Sequence, residues 1–142
     1  MEQEKKERIF ISYKRVDKER VFAIKDGIEQ AIGEDCCTAI ALEDLENCAN
    51  LSTLLENCKV FILIYSHSYA FIDMTEHYWM KNTLNFFAKC SDKHIVLITL
   101  DSLVLPEWLE KILPRQQVTD LSNDKSVQVM YKTLRKRLRQ DS

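Results

Sequence analysis

An unbroken apolar run near the middle of the chain constrains the fold more than any other feature. Residues 60–64 read Val-Phe-Ile-Leu-Ile, a run with the length and β-branched content of a strand and far too short to cross a membrane. A strand with no alternating polar positions is buried on both faces, as strands of parallel sheets are. Parallel neighbours need crossover connections, which are usually helices. The run therefore predicts an α/β protein.

Strand-like and helix-like segments alternate along the rest of the chain. Strands are predicted at residues 8–13, 36–40, 59–65, 94–100 and 116–119. Helices are predicted from about residue 18 to 32, where Asp17 would cap the start and Gly33 the end, and then at 51–55, 75–90, 107–113 and 127–138. Right-handed crossovers would place these helices on both faces of the sheet. We expect a flavodoxin-like, doubly wound, five-stranded parallel sheet of order 2-1-3-4-5.

Composition indicates one ordinary cytoplasmic domain. The 142 residues carry 20 basic and 22 acidic side chains, a balance that does not indicate a nucleic-acid or membrane partner. We divide the chain into a charged tail, 1–7, and one domain, 8–139; the tail has no apolar segment of a secretory signal. The five cysteines are scattered without C-x-x-C spacing, so we expect free thiols in a reducing compartment and no metal site.

In doubly wound folds ligands bind beyond the carboxyl ends of the strands, near the switch point between strands one and three. Any site should therefore be built from the loops 12–17, 41–50 and 66–75. Strands one and three end in Ser12-Tyr13 and Tyr65-Ser66. These residues lack the acidic pair that a phosphoacceptor receiver needs for magnesium. The loop after strand one also lacks the glycine that lets a backbone approach a flavin phosphate.

Several segments in order carry a family resemblance. Residues 9–17 place Ser-Tyr and a following acid after an apolar strand, residues 60–68 end in Tyr-Ser-His-Ser, and Trp79 precedes Leu84-Asn85-Phe86. Together they resemble bacterial TIR (Toll/interleukin-1 receptor) domains over about residues 8–138. The resemblance implies a signalling module in bacterial defence or stress responses that assembles with itself or with another TIR domain. It implies no required cofactor and no nucleic-acid, membrane or metal partner.

Many TIR domains hydrolyse or cyclise NAD⁺, releasing nicotinamide, with one glutamate in the family pattern Trp-x-x-x-Glu-Leu. The matching stretch here begins at Trp79 and places Thr83 where that glutamate stands. A threonine cannot supply a carboxylate, so we favour a non-catalytic module in which Thr83 faces the cleft. Glu76, two helical turns earlier, is the substitute if the chain is an NAD⁺ glycohydrolase. Asp73 and Glu76 also have the spacing of a capping box, which is the favoured interpretation.

The resemblance also implies which residues would contact NAD⁺ and which would contact a partner. If NAD⁺ binds, the contacts would come from Ser12, Tyr13, Lys14, Arg15, Ser66, His67 and Trp79, although Tyr13 could instead close the sheet and core packing is favoured for Trp79. The partner surface would be Leu42, Glu43, Asp44, Leu45 and Glu46. This segment lacks the glycine or proline common in the family. It is either an altered interaction surface or a solvated loop that caps the next helix through Asn47 or Asn50.

The last predicted helix is basic. Lys132, Arg135, Lys136, Arg137 and Arg139 all lie near its end, where cations are favoured by the helix dipole. One hypothesis is that this helix contacts the acidic segment 43–46 of another copy, head to tail.

Overall fold

The computed structural model describes residues 8–100, 105–113 and 118–139. Its strands are β1 (Ile9–Tyr13), β2 (Cys37–Ala41), β3 (Val60–Tyr65), β4 (His94–Thr99) and β5 (Val118–Asp120). Its helices are α1 (Lys18–Ile32), α2 (Leu51–Asn57), α3 (Met74–Lys89), α4 (Glu107–Ile112) and α5 (Asp124–Arg139). Short 3₁₀ turns span Arg15–Asp17, Leu42–Asn47 and His67–Phe71. The first two residues of the predicted fifth strand, 116 and 117, lie outside the described residues.

The five strands form one parallel sheet of order β2-β1-β3-β4-β5. In its centre β1 pairs with both β2 and β3, and Phe10 lies in register with Phe61. The predicted flavodoxin-like α/β fold is therefore confirmed.

Two core clusters cover the two faces of the sheet, because successive side chains of a strand point to opposite sides. Ile9, Ile11, Ile62 and Ile64 face the first cluster, which also contains the buried residues of α1 and α5. Phe10, Phe61 and Leu63 face the second cluster, where Met80, Leu84 and Phe87 of α3 pack on them. The chain leaves β1 towards one face of the sheet and β3 towards the other. Doubly wound folds have a crevice at this point, beyond the carboxyl ends of the two strands.

The sequence predicted three helix caps, and the structure has two of them. Gly33 adopts the left-handed conformation, with φ of 93°, and its N–H donates to the carbonyl of Glu29 at the end of α1. Asp73 and Glu76 form the predicted capping box of α3. Asp17 precedes α1, but its side chain makes no capping hydrogen bond. The prediction that it caps this helix is wrong, because serine hydroxyls of another loop engage its carboxylate.

The five cysteines are free thiols. Within the described segments, none of the helices combines the length and apolar character of a membrane span.

Candidate functional site

The carboxyl ends of β1 and β3 bring three loops together, as the topology requires. Ser12 is the next-to-last residue of β1, and Ser66 directly follows β3. Both serines are buried. The 3₁₀ turn Leu42–Asn47 that follows β2 lies on the same edge of the sheet. The predicted site is thus assembled from the loops that the sequence indicated.

Lys14 lies between these loops, at the carboxyl edge of the sheet where doubly wound folds have their crevice. Its Nζ lies 3.3 Å from Oε2 of Glu43 and 3.1 Å from Oε1 of Glu76. The exposed fractions of these side chains are 12% for Lys14, 28% for Glu43 and 14% for Glu76. One ammonium therefore ties together the loop after β1, the turn after β2 and the start of α3.

The pKa values of Lys14 and Glu43 are shifted in the directions that keep both groups charged at neutral pH. Burial lowers the pKa of Lys14, but its hydrogen bonds and attraction to Glu76 and Glu43 outweigh burial and leave this pKa raised. Burial likewise raises the pKa of Glu43, but the backbone N–H of Arg15, 2.9 Å away, and the charge of Lys14 leave it lowered overall. Lys14 and Glu43 therefore face each other as charged partners.

Glu76 pairs with Lys14 and also caps the start of α3. Its backbone N–H donates to Asp73 Oδ1 at 2.7 Å, and its Oε1 accepts from the backbone N–H of Asp73 at 3.1 Å. The same Oε1 accepts from Lys14. The capping-box interpretation is confirmed, and the cap also places this carboxylate at the carboxyl edge of the sheet.

A buried network of hydroxyls lies behind the Lys14 bridge. Asp17 Oδ2 accepts from Ser66 Oγ at 2.6 Å and from Ser68 Oγ at 2.8 Å, and the two hydroxyls lie 2.6 Å apart. The Ser12 Oγ and Tyr69 hydroxyl oxygens are 3.3 Å apart, and burial raises the pKa of Tyr69. These contacts fasten the loop after β3 to the loop after β1.

We expect Ser66→Ala to lower the free energy of unfolding by about 1.5–3 kcal/mol, because it removes a buried hydrogen bond to the Asp17 carboxylate. Urea denaturation measures the loss. Ser52→Ala, on the exposed side of α2, is the matched control and should change stability by less than about 0.5 kcal/mol. Equal effects of the two substitutions would show that the network does not hold the loops.

Other residues predicted to contact NAD⁺ lie in different surroundings. Tyr13 is buried, its ring centroid is 6.5 Å from that of Phe22, and burial raises its pKa; this packing supports the interpretation that it closes the sheet. Trp79 packs 6.3 Å from Phe10 and 6.2 Å from Phe61 in the second cluster, which confirms the core interpretation. Arg15 and His67 are exposed at the edge of the sheet.

Thr83 is buried in the middle of α3, seven residues after Glu76, which is about 10 Å along the helix axis. That it faces the cleft stays a prediction. The carboxylates that the structure brings to the carboxyl edge of the sheet are those of Asp17, Glu43 and Glu76.

Part of the acidic segment after β2 is held within the molecule, and its contact with a partner stays a prediction. Leu42 is buried, Leu45 packs against the second cluster, and Glu43 and Asp44 form ion pairs with Lys14 and Arg15. Glu46 is exposed. The alternative that this segment caps the next helix is wrong, because Asn47 lies inside the 3₁₀ turn and Asn50 precedes α2 without a side-chain capping bond.

Sequence reasoning missed Asp17, Ser68 and Tyr69 as members of the site. All three lie in the loops predicted to border it. Asp17 and Ser68 belong to the segments that carry the family resemblance, but nothing in the sequence indicated that they hydrogen-bond each other. In the described part of the chain, no three His, Cys, Asp or Glu side chains are grouped as metal ligands. What the site offers is a fixed ammonium, two carboxylates around it and a set of buried hydroxyls.

Comparison with known proteins adds no family assignment. No protein-family model matches the chain, and no curated protein is significantly similar to it.

Proposed function

We propose that this chain is a TIR-like signalling domain of the cytoplasm that assembles with itself or with another TIR domain, in bacterial defence or stress signalling, without cleaving NAD⁺. The sheet order and the positions of Ser12, Tyr13 and Ser66 at its carboxyl edge fit the resemblance in the sequence. The observation that carries the proposal is the Lys14 ammonium held between Glu43 and Glu76 at the mouth of the crevice.

The chemistry of the bridge argues against NAD⁺ cleavage. Breaking the bond to nicotinamide develops positive charge on the ribose, and an adjacent carboxylate stabilises that charge. Lys14, which also pairs with Glu43, lies 3.1 Å from Glu76 and offsets part of its charge. The ammonium would also repel a cationic ribose at the same place. A crevice closed in this way suits a module whose function depends on its outer surfaces.

An NAD⁺ glycohydrolase is the second candidate, and the position of Glu76 favours it. The capping box holds this carboxylate in the first turn of α3, next to the loops after β1 and β3. Displacement of Lys14 by a nucleotide or by assembly would leave Glu76 facing the crevice.

Nicotinamide release from NAD⁺, measured by chromatography at high protein concentration, tests the proposal. We expect the wild-type protein to release no more nicotinamide than NAD⁺ alone does, while light scattering shows assembly that increases with concentration. If the wild-type protein does release nicotinamide, and Glu76→Gln lowers that release by roughly 100-fold or more, the proposal is contradicted. The matched control is Glu46→Gln, which neutralises an exposed carboxylate in the acidic segment.

A further inference from the structure

A slot between α5 and the strands β4 and β5 lies apart from the Lys14 bridge. Its volume is about 290 Å³, close to the lower end of the range of about 300–1,000 Å³ that small-molecule sites occupy. His94 and Val96 of β4 and Thr119 of β5 form its floor on the sheet. None of the described residues that line it belongs to the loops after β1, β2 or β3. The structure therefore offers a second cavity with surroundings of its own.

The other wall of the slot is one face of α5. Ser126, Val129, Met130 and Thr133 line this wall, at the i, i+3, i+4 and i+7 positions that share one side of a helix. Ser126 and Thr133 are seven residues apart, which is about 10 Å along the helix axis. Because α5 follows β5 and runs back along the sheet, the slot is elongated in the direction of the helix.

The two ends of the slot differ in chemistry. Lys125 lies at the end near the start of α5, is exposed, and forms no ion pair with a residue that the structure describes. His94 lies at the other end, where Arg137 of α5 approaches it one turn beyond Thr133. Burial, followed by the charge of Arg137, lowers the pKa of His94 to about 4. Its imidazole is therefore neutral at pH 7 and carries one donor and one acceptor nitrogen.

The polar residues near Lys125 already serve the start of α5. Asn123 Oδ1 accepts from the backbone N–H groups of Lys125 and Ser126, at 3.0 and 3.2 Å. Ser126 Oγ accepts from the backbone N–H of Asp120 at 3.0 Å. Selection of a ligand therefore depends on the charge of Lys125 at one end and on the imidazole of His94 at the other.

The charge around the slot favours an anionic ligand. Among the described residues that line it, Lys125 is the only one charged at neutral pH, and Arg137 adds positive potential next to His94. Asp120 and Asp124 are close to Lys125 in sequence but do not line the slot. An anionic group at the Lys125 end is therefore attracted by the nearest charge.

We propose that this slot binds a small hydroxyaryl carboxylate, which has an aromatic body with a carboxylate at one end and a hydroxyl at the other. The carboxylate pairs with the Lys125 ammonium, and the hydroxyl forms a hydrogen bond with the His94 imidazole. The ring packs on Val96, Val129 and Met130, the apolar residues that lie between these ends. The inference goes beyond the proposed function, because it adds a ligand that neither assembly nor NAD⁺ cleavage requires.

Other classes of ligand fit the slot less well. A dinucleotide is larger than the slot, and a polyphosphate needs more cations than the single lysine in its lining. A cationic ligand is repelled by Lys125. A carboxylate with no polar group at its far end sets an apolar atom against the His94 imidazole and gains no hydrogen bond there.

Three probes separate the two ends of the ligand in isothermal titration calorimetry. Para-hydroxyphenylpropionate carries both end groups, phenylpropionate lacks the hydroxyl, and para-propylphenol lacks the carboxylate. We expect the wild-type protein to bind the first probe with a Kd of about 0.1–1 mM. Each of the other two should bind more weakly by roughly fivefold or more. Equal binding of all three probes, or binding of none of them at about 10 mM, refutes the proposal.

Four variants locate the site. Lys125→Gln should weaken binding of para-hydroxyphenylpropionate by roughly tenfold and leave that of para-propylphenol unchanged. His94→Phe should remove the advantage of para-hydroxyphenylpropionate over phenylpropionate. Val129→Trp fills the slot with a bulky ring and should abolish binding of all three probes. Lys132→Gln is the matched control, because it removes the same charge from α5 at a residue that lines a different depression, and it should leave binding unchanged.

Circular dichroism shows whether each variant folds. Lys125 and Val129 are exposed, so their variants decide the test even if His94→Phe does not fold. If Lys125→Gln binds para-hydroxyphenylpropionate as tightly as Lys132→Gln does, the carboxylate lies elsewhere and the proposal is wrong. If Lys125→Gln weakens all three probes equally, the lysine supports the fold rather than the carboxylate, and the proposal is wrong as well. Undiminished binding to Val129→Trp would place the ligand outside the slot.

Discussion

Replacing Phe61 by alanine is expected to lower the free energy of unfolding by about 3–5 kcal/mol, the largest effect of any single substitution considered for this protein. Phe61 is fully buried in the central strand β3. Its ring centroid is 5.5 Å from that of Phe10, 5.3 Å from that of Phe87 and 6.2 Å from that of Trp79. Removing the ring leaves a cavity between the sheet and α3 that these rigid aromatic neighbours cannot fill.

Because domains of this kind are stable by about 5–15 kcal/mol, this loss should appear as a large shift of the urea midpoint. Phe86→Ala provides a control on the same helix as Phe87. Phe86 is 43% exposed and contacts Phe87 edge-on, with the centroids 5.6 Å apart. Removing its ring should lower the free energy of unfolding by less than about 1.5 kcal/mol. Comparable losses in the two variants would mean that the second cluster does not stabilise the fold as its packing indicates.

The sequence predicted the fold because its signals are local and consistent. The apolar run at 60–64 predicted a strand buried on both faces. Because successive side chains point to opposite faces, Phe61 lies in the second cluster and Ile62 in the first. Gly33 ended α1 where only a residue tolerant of positive φ fits easily. Over the described residues the boundaries of the strands differ from those predicted by at most one residue, which is within the usual uncertainty of helix and strand ends.

The site was less predictable because it depends on contacts between loops far apart in sequence. The topology placed Ser12 and Ser66 at the same edge, as the sequence indicated. The sequence did not indicate that the Asp17 carboxylate turns away from α1 and accepts hydrogen bonds from the hydroxyls of Ser66 and Ser68. Nor did the sequence indicate that the Glu43 carboxylate pairs with Lys14, because the ion-pair partners of loop residues depend on the conformation of the loops.

Thr83→Glu, the substitution that would restore the family's glutamate by alignment, is expected to destabilise the protein by about 2–4 kcal/mol rather than create an active site. Thr83 is 7% exposed in the middle of α3, between the buried Met80 and Phe87. A glutamate there is larger than the space available and buries a charge without a partner. Its carboxylate would lie about 10 Å from Glu76 along the helix, so nicotinamide release should remain absent.

Asn82→Glu is the matched control, because it introduces the same side chain at the neighbouring, exposed position of α3. It should change stability by less than about 0.5 kcal/mol. The destabilisation by Thr83→Glu should also diminish at low pH, because protonation removes the cost of burying the charge. Urea denaturation at about pH 7 and about pH 4 distinguishes this from a purely steric cost, which does not depend on pH. A Thr83→Glu protein as stable as the wild type would place this side chain in solvent, and nicotinamide release from it would return the catalytic position to Thr83.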